Sequence, residues 1–167
     1  MVNLHILLLS WNRLTSLPPA ILDTLASLSS LSLDHNSLTA LPHRLFAYTP
    51  DLADLALNHN RLEAVPGGGL TQLSRLRTLD LGENAIPAVP AGYLGRMTAL
   101  YGLRLAGNRL SALENNTFAN NTALHVLNLA HNRLERVAPG AFAHLDNLRA
   151  LRLDNNRLKD INGLVAR

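Results

Sequence analysis

Cysteine is absent from this chain of 167 residues. Its absence excludes disulfide bridges, cysteine-ligated zinc sites and thiol catalysis within the sequence. Charge is also scarce, because charged residues make up 16% of the chain and 15 basic against 12 acidic groups leave a formal charge of +3. Lys159 is the single lysine, and no run of basic residues resembles the segments that track phosphates. The composition therefore gives no indication of nucleic-acid binding.

Long hydrophobic runs are missing as well. No stretch approaches the ~20 continuous apolar residues that a membrane-spanning helix requires. The first eleven residues are apolar enough to resemble a signal peptide, but they lack a basic n-region and a small-residue cleavage site. What the chain does contain is leucine, at 39 of the 167 positions.

The leucines recur with a spacing of 24 residues and no insertion. Leucine opens each unit and stands again three and five residues later, and asparagine follows at the eighth. The opening leucines are Leu4, Leu28, Leu52, Leu76, Leu100, Leu124 and Leu148. The asparagines are Asn12, Asn36, Asn60, Asn84, Asn108, Asn132 and Asn156. The pattern LxxLxLxxNxLxxL is identified as that of the leucine-rich repeat, and all leucines except Leu8, Leu45 and Leu164 fall in recurring columns.

This pattern predicts an α/β fold, a right-handed β-α superhelix of the leucine-rich-repeat solenoid type. Leucines that alternate with period two indicate short parallel strands with the leucines facing inward. A further column, which includes Leu113, Val137 and Ile161, is expected to close the core. The prolines between strands favour turns and short helical pieces on the convex side. The asparagine amides are expected to satisfy backbone groups of neighbouring rungs rather than to bind a ligand.

We expect one domain over residues 1–167, with seven repeats and the last one truncated. Terminal repeats of a solenoid normally carry a polar cap, and neither end of this sequence resembles one. The chain is therefore interpreted as a piece of a longer array or as a shortened gene product, with residues 1–11 belonging to repeat one.

Function is expected on the concave face, where residues two, four, six and seven positions after each opening leucine should point outward. The face is predicted to be acidic in rungs two to four and basic in rungs five to seven. Residues 1–100 carry six basic and seven acidic groups, and residues 101–167 carry nine and five. Such a gradient would orient a charged protein partner. The candidate protein-binding residues are Asp34, His35, Asp54, His59, Asp80, Glu83, Tyr101, Arg104, Arg149 and Arg152.

Alternatives stay open at several of these positions. The apolar first rung, with Ile6, Leu8 and Trp11, is either a partner hot spot or a surface covered by a preceding segment. Asp80 and Arg104 occupy the same column on adjacent rungs and could pair with each other. His35, His59 and His131 share one column, and the first two are expected to be neighbours. They are either exposed polar residues or a pH-sensitive contact, and a metal site is not expected because no third ligand is evident.

Catalysis is not indicated by the sequence. No serine, histidine and acid stand at the spacing of a nucleophile motif, and an open curved sheet offers no dry cleft. We therefore predict no enzyme activity, no cofactor and no metal. The sequons at Asn115 and Asn120 are candidate glycosylation sites on the convex stretch of repeat five.

Several segments of the sequence resemble one particular group of leucine-rich-repeat proteins. The repeat class resembles that of animal extracellular proteins, and residues 79–84, 100–105 and 158–164 look like consecutive ectodomain repeats of arthropod Toll receptors. This resemblance implies a cell-surface receptor ectodomain, outside the cell, that serves immunity or development. It also implies a protein ligand, such as a cystine-knot cytokine of the Spätzle type, or another receptor ectodomain. The chain lacks the family's cysteine caps, membrane span and cytoplasmic signalling domain. The alternative is a structural or adhesive leucine-rich-repeat scaffold, extracellular or cytosolic, without a signalling role.

Overall fold

The computed structural model describes residues 1–67 and 69–164, and within these ranges the chain forms a solenoid built around a parallel sheet. Seven strands form that sheet, one in each 24-residue unit. They are β1 (Ile6–Leu8), β2 (Ser30–Ser32), β3 (Asp54–Ala56), β4 (Thr78–Asp80), β5 (Gly102–Arg104), β7 (Val126–Asn128) and β9 (Ala150–Arg152). Two shorter strands, β6 (Ala112–Leu113) and β8 (Arg136–Val137), pair in a second parallel sheet. The predicted right-handed leucine-rich-repeat solenoid is confirmed.

The register of the sheet follows the leucine spacing without a shift. Leu7 pairs with Leu31, Leu31 with Leu55, and the same relation continues to Leu151. Because each strand is three residues long, its central leucine points into the core and its two outer residues point to the opposite face. The alternation of inward and outward side chains that the sequence predicts is therefore the one found in the sheet.

The core is a continuous stack of aliphatic side chains, and most leucines of the inner rungs are at most 2% exposed. The inward strand leucines of rungs one and seven are half-buried, because each of these rungs has a neighbour on one side only among the described residues. Leu45, which falls outside the repeat columns, is nevertheless 0% exposed. It lies in the turn next to buried Phe46 and packs inward with it. Ile161 contradicts its prediction, since it is 64% exposed and closes no core on the last described rung.

The asparagine column holds the rungs together. Asn108 is buried, and its amide nitrogen donates to the carbonyls of Leu81 and Leu105 at 2.9 and 3.0 Å. Its side-chain oxygen accepts the backbone N–H of Ile86 at 3.0 Å. The same three bonds recur at the other inner asparagines, so the column satisfies backbone groups that the turn leaves unpaired, as predicted.

The convex side consists mainly of turns, with one 3₁₀ helix at Leu70–Gln72 and another at Asn162–Leu164. Phe118 and Phe142 stack there with their ring centroids 6.0 Å apart. This confirms the expectation of turns and short helical pieces. No helix in residues 1–67 and 69–164 has the length and apolar character needed to cross a bilayer.

Candidate protein-binding face

The concave sheet presents a row of outward side chains in each rung. In rung one, Ile6, Leu8 and Trp11 are 58%, 66% and 76% exposed. In rungs two and three the outward residues Ser30, Ser32 and Asp54 are polar. The face therefore begins apolar at one end and becomes polar within one repeat spacing.

One column of this face owes its geometry to the backbone. The residue before each ladder asparagine has positive φ, between 52° and 59° at six non-glycine positions and 69° at Gly107. This left-handed turn is uncommon for residues other than glycine, although asparagine, aspartate and histidine adopt it several times more often than the rest. Its repetition in every rung stacks the side chains of this column above one another at the edge of the sheet. Besides Gly107, its members are Trp11, His35, His59, Glu83, His131 and Asn155.

Three aromatic rings of this column form a stack. The Trp11 and His35 ring centroids are 3.9 Å apart with an angle of 11° between the planes, and those of His35 and His59 are 4.2 Å apart with an angle of 10°. We call Trp11, His35 and His59 the ring stack. Two of its members were predicted site residues, and the predicted adjacency of His35 and His59 is confirmed.

Asp34 is fixed beside the ring stack. Ser10 donates its hydroxyl to one carboxylate oxygen of Asp34 at 2.6 Å, and His35 Nδ1 lies 2.9 Å from the other. Burial would raise the pKa of Asp34, but the hydrogen bonds from Ser10 and His35 outweigh it, so the pKa is lowered. The carboxylate stays ionised and oriented.

The remaining predicted acids are held in different ways. Asp54 accepts a hydrogen bond from the Thr78 hydroxyl, and Asp80 accepts the backbone N–H of Gly82 at 2.9 Å. Burial is the largest influence on Asp80 and raises its pKa, in spite of this hydrogen bond and of the positive charge of Arg104. The carboxylate of Glu83 lies over Gly107, where a methyl group on the glycine would clash with it.

At the basic end of the face, one of the predicted arginines is held in an ion pair, and the others are not paired within the described residues. Arg104 is the register partner of Asp80, but among the described residues it takes part in no ion pair within 4.0 Å. Arg149 is exposed. Arg152 instead binds Asp154 through two hydrogen bonds of 3.0 and 2.8 Å, and its charge is locally neutralised. The expected positive charge of rung seven is therefore smaller than predicted.

A second ring pair lies at the starting edge of the sheet. Tyr101 stacks on His125 with their centroids 4.3 Å apart, and the Arg77 guanidinium carbon lies 5.8 Å from the centre of the tyrosine ring. The structure thus places His35, His59 and Glu83 in the column at one edge of the sheet and Tyr101 at the starting edge. Asp54, Asp80, Arg104 and Arg152 lie in the strands between these edges. The candidates named from the sequence did not include Ser10, which was expected only to face outward, or His125 and Asp154. The 24-residue offsets of Ser10 from Asp34 and of His125 from Tyr101 could have indicated the first two, and Asp154 lies two residues from Arg152.

Groups of three histidine, aspartate or glutamate side chains able to hold a metal ion do not occur in the part of the chain that the structure describes. The two sequons lie outside the concave face. Asn115 is exposed and its side-chain oxygen accepts the Gly140 N–H at 2.9 Å, whereas the Asn120 amide nitrogen donates to the Gly95 carbonyl at 3.1 Å.

Comparison with known proteins gives a consistent picture. The family model for the leucine rich repeat matches residues 2–62, 50–110 and 98–158. The chain is similar to a solved structure of the Drosophila Toll–Spätzle complex, with a TM-score of 0.80 and 28% sequence identity. The aligned region covers 95% of this chain and 24% of that chain. A TLR13 complex with single-stranded RNA has a TM-score of 0.73 and 26% identity, covering 93% and 25%.

A bacterial protein shares the architecture as well. The leucine-rich-repeat protein of Leptospira interrogans has a TM-score of 0.70 and 26% identity, covering 92% of this chain and 44% of that chain. The present chain therefore spans about a quarter of the Toll and TLR13 chains and less than half of the bacterial one. Curated protein sequences yield no significant match.

Proposed function

We propose, because the chain belongs to the leucine-rich repeat family, that it is a single recognition domain of seven repeats that binds a protein through its concave face. The observation that carries the proposal is the ring stack beside Asp34. Trp11 is 76% exposed, yet its ring is held by His35 and the adjacent carboxylate is held by Ser10. An exposed aromatic group that is already ordered loses little conformational entropy on binding, and tryptophan is enriched at the centres of protein interfaces.

The partner class follows from the charges around the stack. Asp34, Asp54 and Asp80 lie on three successive rungs, Arg104 lies on the next rung, and Arg149 lies two rungs beyond Arg104. A partner with a basic patch near the ring stack and an acidic patch beyond it would be oriented by this field. The similarity to the Toll chain in the Toll–Spätzle complex supports a cystine-knot cytokine of the Spätzle type as that partner, with another receptor ectodomain as the second choice.

This similarity also supports a place outside the cell, as part of a cell-surface receptor in immune or developmental signalling. The alternative is a structural or adhesive scaffold with no signalling role, which the bacterial similarity keeps open. Binding rather than catalysis is the proposed activity in both cases, because the concave face is open and offers no enclosed cleft.

The proposal is tested by measuring the affinity of the secreted, purified chain for Spätzle-type cytokines and for Toll-type ectodomains. Trp11→Ala should weaken binding by ~2 kcal/mol, as expected for a hot-spot tryptophan. Tyr48→Ala, at an exposed aromatic residue in a convex turn, is the matched control and should leave affinity unchanged. The proposal fails if no partner of either kind binds, or if both variants behave alike.

The charge pattern has a separate test. Reversing Asp54 and Asp80 to lysine should change the association rate and its dependence on salt, because exposed charges steer encounter. An unaltered association rate would remove the charge gradient from the proposal while leaving the ring stack in place. Single-stranded RNA is included as a probe because the TLR13 structure contains it, and tighter binding of RNA than of any protein would contradict the proposal.

A further inference from the structure

A row of arginines lies on the flank of the solenoid just beyond the asparagine ladder. Arg109, Arg133 and Arg157 each follow a ladder asparagine, and all three are exposed. Their backbone N–H groups donate to Ile86, Leu110 and Leu134 of the preceding rungs, at 2.9, 2.8 and 2.9 Å. The repeated bond places the three residues in register on adjacent rungs, about 4.8 Å apart. We call these three residues the arginine flank.

Like charges in register on neighbouring rungs repel one another and are destabilising. Elsewhere in the described chain this cost is avoided by local ion pairs, such as Arg75 with Asp51 and Arg136 with Glu114. Within residues 1–67 and 69–164, the arginine flank has one acid in contact, Glu135, whose carboxylate is 3.8 Å from Arg157. Arg109 and Arg133 form no ion pair within 4.0 Å among residues 1–67 and 69–164. The flank therefore keeps a net positive charge that an anion would stabilise.

The composition of the arginine flank indicates which kind of anion it would bind. Protein interfaces place arginines among large aromatic anchors, and single-stranded nucleic acids need aromatic platforms for their bases. The arginine flank has no tryptophan, tyrosine or phenylalanine two positions before its arginines, where Gly107, His131 and Asn155 stand. Guanidinium groups bind oxyanions in a planar, bidentate way that ammonium groups cannot reproduce.

We propose that the arginine flank binds a sulfated polysaccharide. Successive sulfate groups would each meet a guanidinium of an adjacent rung, and release of the counterions of the polymer would supply much of the affinity. This site lies beside the edge of the concave face and uses none of the candidate protein-binding residues. The proposal does not depend on the identity of that protein partner.

The test is titration of the whole chain with a heparin oligosaccharide at several salt concentrations. Replacing Arg109, Arg133 and Arg157 together by glutamine should weaken binding about tenfold or more and flatten its salt dependence. Replacing Arg44, Arg75 and Arg96, which are exposed elsewhere, removes the same charge and should weaken binding by less than about twofold. Circular dichroism and the thermal midpoint establish that both triple variants are folded.

Four outcomes would overturn the proposal. They are the absence of heparin binding, an equal loss in both triple variants, undiminished binding of chemically desulfated heparin, and tighter binding of polyglutamate or single-stranded RNA through the same arginines. A normal affinity of the flank variant for a protein partner would support two separate sites. Failure of heparin binding would leave the proposed protein recognition untouched, because the two assays use different ligands and different residues.

Discussion

Asp80 and Arg104 face each other across β4 and β5, yet Asp80 takes its hydrogen bond from the backbone N–H of Gly82 at 2.9 Å. The Arg104 guanidinium is not hydrogen-bonded to Asp80, and its positive charge only offsets part of the rise in the pKa of that carboxyl. Register therefore brings opposite charges to adjacent strands without joining them, and Arg104 stays available to a partner. The alternative that the two residues simply pair is not what the structure contains.

Asp80→Asn should leave the free energy of unfolding at pH 7 unchanged or slightly higher. Burial raises the pKa of Asp80 in the folded chain, so its stabilising contribution is complete below the unfolded pKa and is lost as pH rises through the folded pKa. On acidification from pH 7 the native chain should gain stability relative to the variant. Urea unfolding at pH 7 and pH 3.5 measures this, and a larger loss at pH 7 than at pH 3.5 would contradict it.

Asp34→Asn should behave in the opposite way. The hydrogen bonds from Ser10 and His35 lower the pKa of Asp34 against the effect of burial, so its contribution is present above the unfolded pKa and is lost as pH falls through the folded pKa. We expect a loss of about 1 kcal/mol at neutral pH, the typical net value of such hydrogen bonds. The stabilities of the variant and the native chain should converge at acid pH. A constant difference across the whole range would argue against the pairing.

Asn108→Ala should destabilise the solenoid by about 3 kcal/mol. The backbone carbonyls of Leu81 and Leu105 and the backbone N–H of Ile86 would each lose a hydrogen bond. Asn12→Ala is the control, because Asn12 is exposed and its amide donates only to Leu9 at 3.0 Å and Ser10 at 3.4 Å. Its expected cost is about 1 kcal/mol or less. Chemical denaturation gives both values, and equal costs would mean that bonds between rungs contribute little.

His35→Ala should alter the fluorescence of Trp11, the single tryptophan of the chain. The imidazole covers one face of the indole at 3.9 Å, so its removal exposes that face to water and takes away a stacked quenching group. We expect a stronger and red-shifted emission. His131→Ala changes the same column without touching Trp11 and should leave the spectrum unaltered. Identical spectra for the native chain and His35→Ala would show that the rings do not stack in solution.

Asn115 should be modified more completely than Asn120 when the chain is secreted from a eukaryotic cell. The amide nitrogen is the atom that carries the glycan, and in Asn120 this atom donates to Gly95 at 3.1 Å. Asn115 engages its oxygen instead. Mass spectrometry of Asn115→Gln and Asn120→Gln measures the occupancy of the remaining site, and a fully occupied Asn120 beside an empty Asn115 would contradict the assignment.

The sequence alone determined the architecture, because each 24-residue unit contributes the same side chains to a core that only stacked units can bury. The inward leucines, the asparagine ladder, the turns on the convex side and the adjacency of His35 and His59 all followed from position. Exceptions arise where burial depends on local packing, as at Leu45, which is buried outside the columns, and Ile161, which is exposed within one.

Tertiary structure decided what the polar residues do, because residues 24 apart in the chain become neighbours only when rungs stack. Ser10 meets Asp34 and orients it, and Trp11 meets His35. Arg109 and Arg133 come to lie on adjacent rungs although no run of basic residues exists in the sequence. Pairing within a rung also removes charge that composition would count, as for Arg152 and Asp154. The spacing of the leucines determines the scaffold, because the pattern of buried residues can be read directly from the sequence. The orientation and pairing of polar side chains, and the local charge, depend on distances between rungs, which the sequence pattern does not give.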